Sequence, residues 1–359
     1  MSLAHFNHAG TSWPKPRPVQ EAVARALASN PMDWASSFAR QHRRVADGLG
    51  VGDPTRVLLT PGATSALSLA IQDLPWSPGE RVITSGFEHH ALMRPLLQLT
   101  QRGVELEVVP PDRNAPVDLD RFDAALAKGA RLVAMSAASN ITGTRLPIDA
   151  IVERSHAAGA LVLVDAAQEA GWVPLRAEER NLDLVAFAGH KGPQAPWGIG
   201  GLYVAPHVQM MSPLATCEVG VPCAPMPGYC DGGSVDRAAL AGLCAGLDWL
   251  DARPDRLARA QSQIACMQAA LGDAFTVHGT ADTSARMPTL ALTHTTRSPA
   301  ELADSLRQRG VQAAAGLMCA PEAHRTLGTQ PDGVLRLSVG PATRDEDVDA
   351  AIAALSASR

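Results

Sequence analysis

The sequence contains no stretch of 18 apolar residues, and its opening MSLAHFNHAG has no basic segment leading into an apolar run. A membrane span needs about 20 such residues, and an export signal needs that two-part head. Neither is expected, and the expected setting is the cytoplasm. Positive charge is not in excess: 31 basic residues stand against 36 acidic ones, a net charge of -5. Such a chain offers no basic field for a nucleic-acid backbone or an anionic membrane, which leaves a small molecule as the expected partner. The six cysteines form no CxxC pair, and an intracellular location argues against structural disulfides. Cys217, Cys223 and Cys230 share a Pro/Gly-rich stretch, but their spacing fits no zinc pattern, so no metal is expected. There is also no internal repeat, low-complexity tract or block of like charge.

What is present is length and apolar content. With 359 residues and 46% hydrophobic composition, the chain can build one large domain and a smaller one. From Arg56 to Val204, continuous apolar runs (RVLLT, RVITSG, VELEVVP, RLVAMSAAS, LVLVDAA, LDLVAFAG, GIGGLYVA) alternate with helical patterns such as TSALSLAIQDL and ALMRPLLQL. Uninterrupted apolar strands bounded by turn residues are what a mainly parallel sheet covered on both faces requires. The expected class is α/β. Residues 206–233 break the rhythm with Pro, Gly and Cys and are expected to form a long loop. Beyond them, helical patterns at 234–250, 257–271, 299–310 and 345–355 and strand patterns in TLALT and GVLRLSVG predict a smaller α+β unit. The expected division is 16–237 for the large domain and 1–15 with 238–359 for the small one.

Two charges stand where a buried sheet would not tolerate them. Asp165 ends the apolar run LVLVD, and Lys191 follows the run LVAFA. In open α/β sheets ligands bind at the C-terminal ends of strands, so both side chains are expected to converge on one. A lysine near an apolar site can act as an amine nucleophile, and an aspartate can hold a ring nitrogen protonated. Together these are the two anchors that pyridoxal phosphate requires. WGIGGLYV is not a nucleotide loop, because a strand follows it instead of a helix.

VDAAQEAG followed by FAGHKGPQAPWGIGGLYV resembles the signature of the class V aminotransferase-like enzymes of fold type I, which depend on pyridoxal phosphate and include cysteine desulfurases and selenocysteine lyases. HFNHAGTSWPKP, TPGATSALSLAI, FEHHALMRPL, SNITGT, GGSVDRAALAGL, AGLMCAPEAHRTLGT and LRLSVG resemble further blocks of that family, in family order. The resemblance implies that Lys191 bonds the cofactor and, once freed, removes the Cα proton. It implies that Asp165 pairs with the pyridinium nitrogen, that Gln168 bonds the phenolic oxygen with Asn140 close by, and that His89 lies against the ring. Ala63 and Thr64, at the start of a helical pattern, would cradle the phosphate, with His190 adding a contact. Ser234 would reach the phosphate of a neighbouring subunit, which implies a homodimer with shared sites; a helix N-cap suits Ser234 equally well. Arg336, inside an apolar strand, calls for a carboxylate partner, which the resemblance makes the α-carboxylate of an amino-acid substrate; a structural ion pair is the alternative.

Cys319, in GLMCAP, matches the position of the sulfur-accepting cysteine of the desulfurases. A mobile thiol on a loop suits that role, and a sulfur-acceptor protein would then be a further partner. The same lysine, aspartate and arginine would equally serve a C–S β-lyase, an aminotransferase or an epimerase. The chain also departs from its relatives. Ala188 replaces a hydroxyl residue and removes one phosphate contact. Ala314 stands in place of an arginine found in some relatives, and Leu317 and Met318 in place of histidines, which predicts an apolar setting for the thiol. Asn7, His8, Ala9, Gly10 and Thr11 replace a more usual Asp-Asn-Ala-Ala-Thr and are expected at the substrate entrance.

Overall fold

The computed structural model describes residues 3–112, 115–210 and 234–357. Cys217, Cys223 and Cys230, and most of the loop expected at 206–233, lie outside them. The chain opens with β1 (Ala4–His5), then α1 (Arg17–Ala28) and α2 (Trp34–Leu49), which ends on Gly50 in the left-handed conformation, φ 73°. There follow β2 (Val57–Thr60), α3 (Ala63–Gln72), β3 (Arg81–Ser85), α4 (His90–Thr100), β4 (Glu105–Val109), α5 (Leu119–Leu126), β5 (Leu132–Ser136), α6 (Ile148–Ala157), β6 (Leu161–Asp165), β7 (Leu184–Ala188) and β8 (Gly200–Val204).

These strands form one seven-stranded sheet in the order β2-β8-β7-β6-β5-β3-β4. Pairing is parallel from β7 through β6, β5 and β3 to β4, and β8 runs antiparallel to both of its neighbours. Every residue of β5, β7 and β8 is buried, as expected for strands covered on both faces. The expected strands and mainly parallel sheet are therefore present. The sequence reading named neither α1, α2, α5 and α6 nor the two-residue β1.

After the undescribed stretch come α7 (Arg237–Asp251), α8 (Arg256–Ala269), β9 (Phe275–His278), β10 (Thr289–His294), α9 (Pro299–Gln308), β11 (Val311–Gln312), β12 (Ala314–Gly316), α10 (Pro321–Leu327), β13 (Val334–Ser338) and α11 (Asp345–Ser356). Asp236 caps α7 by accepting from Ala239 N at 2.9 Å, so the N-cap role considered for Ser234 belongs to Asp236 instead. The first turns of α7 bury Leu240 and Leu243 in the core of the large sheet. A second sheet, all antiparallel, has the order β12-β13-β10-β9. One face, with Leu290, Leu292, Leu335 and Leu337, packs on Ile264, Leu302, Leu306 and Val348 of α8, α9 and α11. Side chains alternate across a strand, so Arg336 must point to the other face, where Val334 and Ala291 pack with Phe87 and Ile141. β1 joins this part of the chain by pairing in parallel with β11. No described helix is long and apolar enough to cross a membrane.

Candidate active site

The parallel strands end on one side, and there a cavity of about 550 Å³ opens, lined by Ser136, Asp165, Lys191, Cys319 and Arg336 among others. Asp165 is the last residue of β6 and 5% exposed; its Oδ1 accepts from Ala167 N at 2.9 Å. Burial raises its pKa, opposed by that hydrogen bond and by Lys191. Lys191 sits three residues past β7. Burial lowers its pKa, opposed by Asp165, while Arg336 pushes it further down. The low pKa favours a free amine, the form that can bond a carbonyl carbon or take a proton. Gly192 lets this turn lie against the chain: a Cβ there would meet the Ala170 carbonyl.

His89 is the N-cap of α4, and its Nδ1 accepts from Ala91 N at 3.0 Å. That bond leaves the ring proton on Nε2. Burial, then Lys191, lowers its pKa to about 4. Beneath it, the fully buried Glu88, which sequence reasoning did not single out, ties β3 to β5. Glu88 Oε1 accepts from Ser85 Oγ at 2.5 Å, and Oε2 accepts from Ser136 N at 2.9 Å and Ser136 Oγ at 2.6 Å. Burial raises its pKa to about 7.

Arg336 is 3% exposed; Nη1 donates to Asn140 O at 2.6 Å and Nη2 to Asn7 Oδ1 at 2.7 Å. Both acceptors are neutral, and among the described residues its Nε is buried without a partner and no carboxylate forms a salt bridge with it. Burial lowers its pKa to about 10. A desolvated guanidinium at a cavity wall without a counter-ion is a receptor for an anion. Asn140 also donates from Nδ2 to Met318 O at 3.0 Å, and among the described residues its buried Oδ1 has no partner. Met318 and Cys319 both have positive φ, 42° and 61°, a conformation costly for residues with a side chain. The His90 N–H donates to Cys319 O at 2.7 Å, so two hydrogen bonds hold this turn over the cavity with the exposed Cys319 at its edge.

Gln168 lines the cavity and donates from Nε2 to Ala9 O at 3.1 Å. Ala63 and Thr64 are the first residues of α3, whose N-cap, Gly62, provides no side-chain cap, so the helix N-terminus faces the cavity uncapped. Sequence reasoning missed Ser65, one residue on, and Trp197, 70% exposed at the same cavity. Ala63, Ala167 and Ala188 form a small buried apolar cluster on that wall. His190 also lines the cavity, whereas Ser234 is exposed and outside its lining. Of the five residues expected at the entrance, Ala9 and Gly10 line it. Asn7 instead binds Arg336, Thr11 binds His190, and His8 is packed against Gly340. Met318 is an apolar neighbour of the thiol in the lining, while Leu317 is 37% exposed. No cluster of three metal-ligating side chains occurs among the described residues.

Comparison with known proteins gives this arrangement a family. The sequence profile described as Aminotransferase class-V matches residues 19–351. A probable cysteine desulfurase from Pseudomonas aeruginosa is 34% identical over 230 residues, covering 60% of this chain and 56% of the relative. A probable cysteine desulfurase from Vibrio cholerae is 28% identical over an alignment covering 98% of this chain and 93% of the relative. In several similar relatives the matched stretch spans only about half of their length, 51% in one from Methanothermobacter thermautotrophicus. The fold is that of solved cysteine desulfurases. The apo structure from Thermococcus onnurineus superposes with a TM-score of 0.92 at 23% identity, covering 99% of this chain and 94% of the other. The Escherichia coli cysteine desulfurase CsdA, in an S-sulfonic acid form, gives 0.89 at 25% identity, with coverage of 99% and 94%. The chain belongs to the aminotransferase class-V family, with the fold-type-I architecture of its solved relatives.

Proposed function

We propose that this protein is a pyridoxal 5'-phosphate-dependent cysteine desulfurase or selenocysteine lyase that converts L-cysteine or L-selenocysteine to L-alanine. The observation that carries the reading is one cavity holding Lys191, Asp165, Cys319 and an Arg336 with no carboxylate partner among the described residues. The residues fit the cofactor: Lys191 would hold it covalently, Asp165 its ring nitrogen, and Gln168 its phenolic oxygen, with Asn140 close by. His89 would face the ring, and Ala63, Thr64 and His190 would take the phosphate. When bound, the cofactor supplies an electron sink for negative charge at the substrate Cα.

The chain's own groups do the rest. Arg336 fixes the substrate carboxylate, which orients the Cα hydrogen toward Lys191. Lys191 with its lowered pKa takes that proton. Cys319 takes the substrate sulfur: its thiolate forms an S–S bond as the Cβ–S bond breaks, the electron pair of that bond stays on Cβ, and one of the two thiol protons completes the methyl group of alanine while the other remains with the Cys319 persulfide. The net change is cysteine plus thiol to alanine plus persulfide, with no external oxidant.

The reading also includes a division at 16–237 and 1–15 with 238–359, the second part carrying Cys319 and Arg336. It includes a homodimer in which the exposed Ser234 serves the partner's phosphate, and a protein that receives sulfur from the exposed Cys319. A cytoplasmic setting is also part of the reading. Incubation with L-cysteine or L-selenocysteine and a reductant, with separation of alanine from pyruvate, tests the activity. Alanine supports it, and pyruvate without alanine replaces it with a β-lyase.

A further inference from the structure

A neutral histidine has one N–H, and which nitrogen carries it decides whether the ring can donate to an anion in the cavity. His190 is in this position. Burial, with Lys191 and Lys15 nearby, lowers its pKa to about 4, so the ring is neutral at physiological pH. Its Nδ1 lies 3.1 Å from Thr11 Oγ1, and among the described residues Nε2 has no hydrogen-bond partner. Ala63 and Ala188, which line the same cavity, offer no side-chain donor, so Nε2 would add to the backbone N–H groups at the start of α3.

The N-terminal segment determines what Thr11 does with its single hydroxyl proton. Thr11 Oγ1 is within reach of two acceptors, His190 O at 3.2 Å and His190 Nδ1 at 3.1 Å. The carbonyl is already saturated. It accepts from Ser12 N at 2.9 Å, Ser12 Oγ at 2.9 Å and Lys15 Nζ at 3.1 Å, three donors for two lone pairs. Lys15 also donates to Ser12 Oγ at 2.6 Å, which commits the Ser12 proton to the carbonyl. Thr11 itself is fixed through its backbone, N to Asn7 O at 3.1 Å and O to His5 Nε2 at 3.1 Å.

We propose that Thr11 is a positioning residue that sets the tautomer of His190. Its hydroxyl donates to Nδ1, placing the ring proton on Nε2 as a donor to the phosphate of the cofactor. Ser12 and Lys15 make this possible by occupying the carbonyl. The link to phosphate rests on the cofactor reading above, while the tautomer does not.

The test therefore has two readouts on the full-length apo protein. Long-range ¹H–¹⁵N spectra, with His190 assigned by its loss in His190→Gln, should show the Nε2–H form in wild type and Thr11→Ser, and a shift toward Nδ1–H in Thr11→Val. A wild-type Nδ1–H ring overturns the proposal. Binding is then titrated with pyridoxal 5'-phosphate and with pyridoxal, which lacks the phosphate. Thr11→Val should weaken the first by about tenfold, the worth of one hydrogen bond to a charged group, and leave the second unchanged. Thr11→Ser should bind both as wild type does, and in a His190→Gln background Thr11→Val should have no further effect. Equal weakening of both compounds, or of neither, overturns the proposed route to phosphate. A wild type that binds neither compound refutes the cofactor reading, and the tautomer is still decided by the nitrogen spectra.

Discussion

Arg336 donates to the Asn7 side chain at 2.7 Å, so the buried guanidinium on the cavity wall is held by neutral oxygens and keeps its charge for a ligand. Lysine cannot reproduce this, since it offers a point charge instead of a planar fork. Arg336→Lys is predicted to raise KM for the amino-acid substrate by about tenfold or more, with a smaller change in kcat, because a carboxylate bond is present in ground state and transition state alike. Steady-state kinetics check this, and an unchanged KM would mean the carboxylate binds elsewhere.

Asn140 donates to Met318 O, next to a Cys319 that also has positive φ. An aspartate of the same shape has no donor and would set a negative oxygen against that carbonyl. Asn140→Asp is predicted to loosen the turn by roughly 1–3 kcal/mol, seen as faster hydrogen exchange at the His90 amide, which donates to Cys319 O. Protection equal to wild type would show that the turn is held without Asn140.

The histidine part of the pH dependence of stability comes chiefly from His89 and His190, both lowered from 6.5 to about 4, and His8, lowered to about 3. Below about 6.5 the unfolded chain binds protons that the native rings do not, so this part of the stability falls as pH falls through that range toward about 3. Asp165 and Glu88, both raised, contribute with the opposite sign, so the comparison must be with a variant. His89→Gln is predicted to lose less stability than wild type between pH 7 and pH 5, by of order 1 kcal/mol, in urea titrations. A wild-type loss no larger than the variant's would mean that His89 is not held neutral by the fold.

Much of this site could be read from the sequence because it lies at strand ends. Apolar runs too continuous for one-sided burial gave the sheet, and Asp165 and Lys191 stood out as charges at its edge. Arg336 was legible for the same reason, as a guanidinium inside an apolar strand. Glu88 was not, because a carboxylate bonded to Ser85 and Ser136 depends on β3 and β5 lying side by side, which no local pattern records. Thr11 and Asn7 escaped closer definition for a related reason. Their partners, His190 and Arg336, lie 179 and 329 residues away, and only the folded chain selects them. Ser234 has a helix after it, but the cap is Asp236, two residues on, showing how loosely caps are placed by residue type alone.

The most direct test of the account is the fate of the sulfur atom. Wild type and Cys319→Ala are given L-cysteine without added reductant, alanine is quantified, and the peptide containing residue 319 is weighed. The account predicts alanine from wild type together with one added sulfur on Cys319, and neither from the variant, while the variant still binds pyridoxal 5'-phosphate. Alanine formed by Cys319→Ala at the wild-type rate would contradict it.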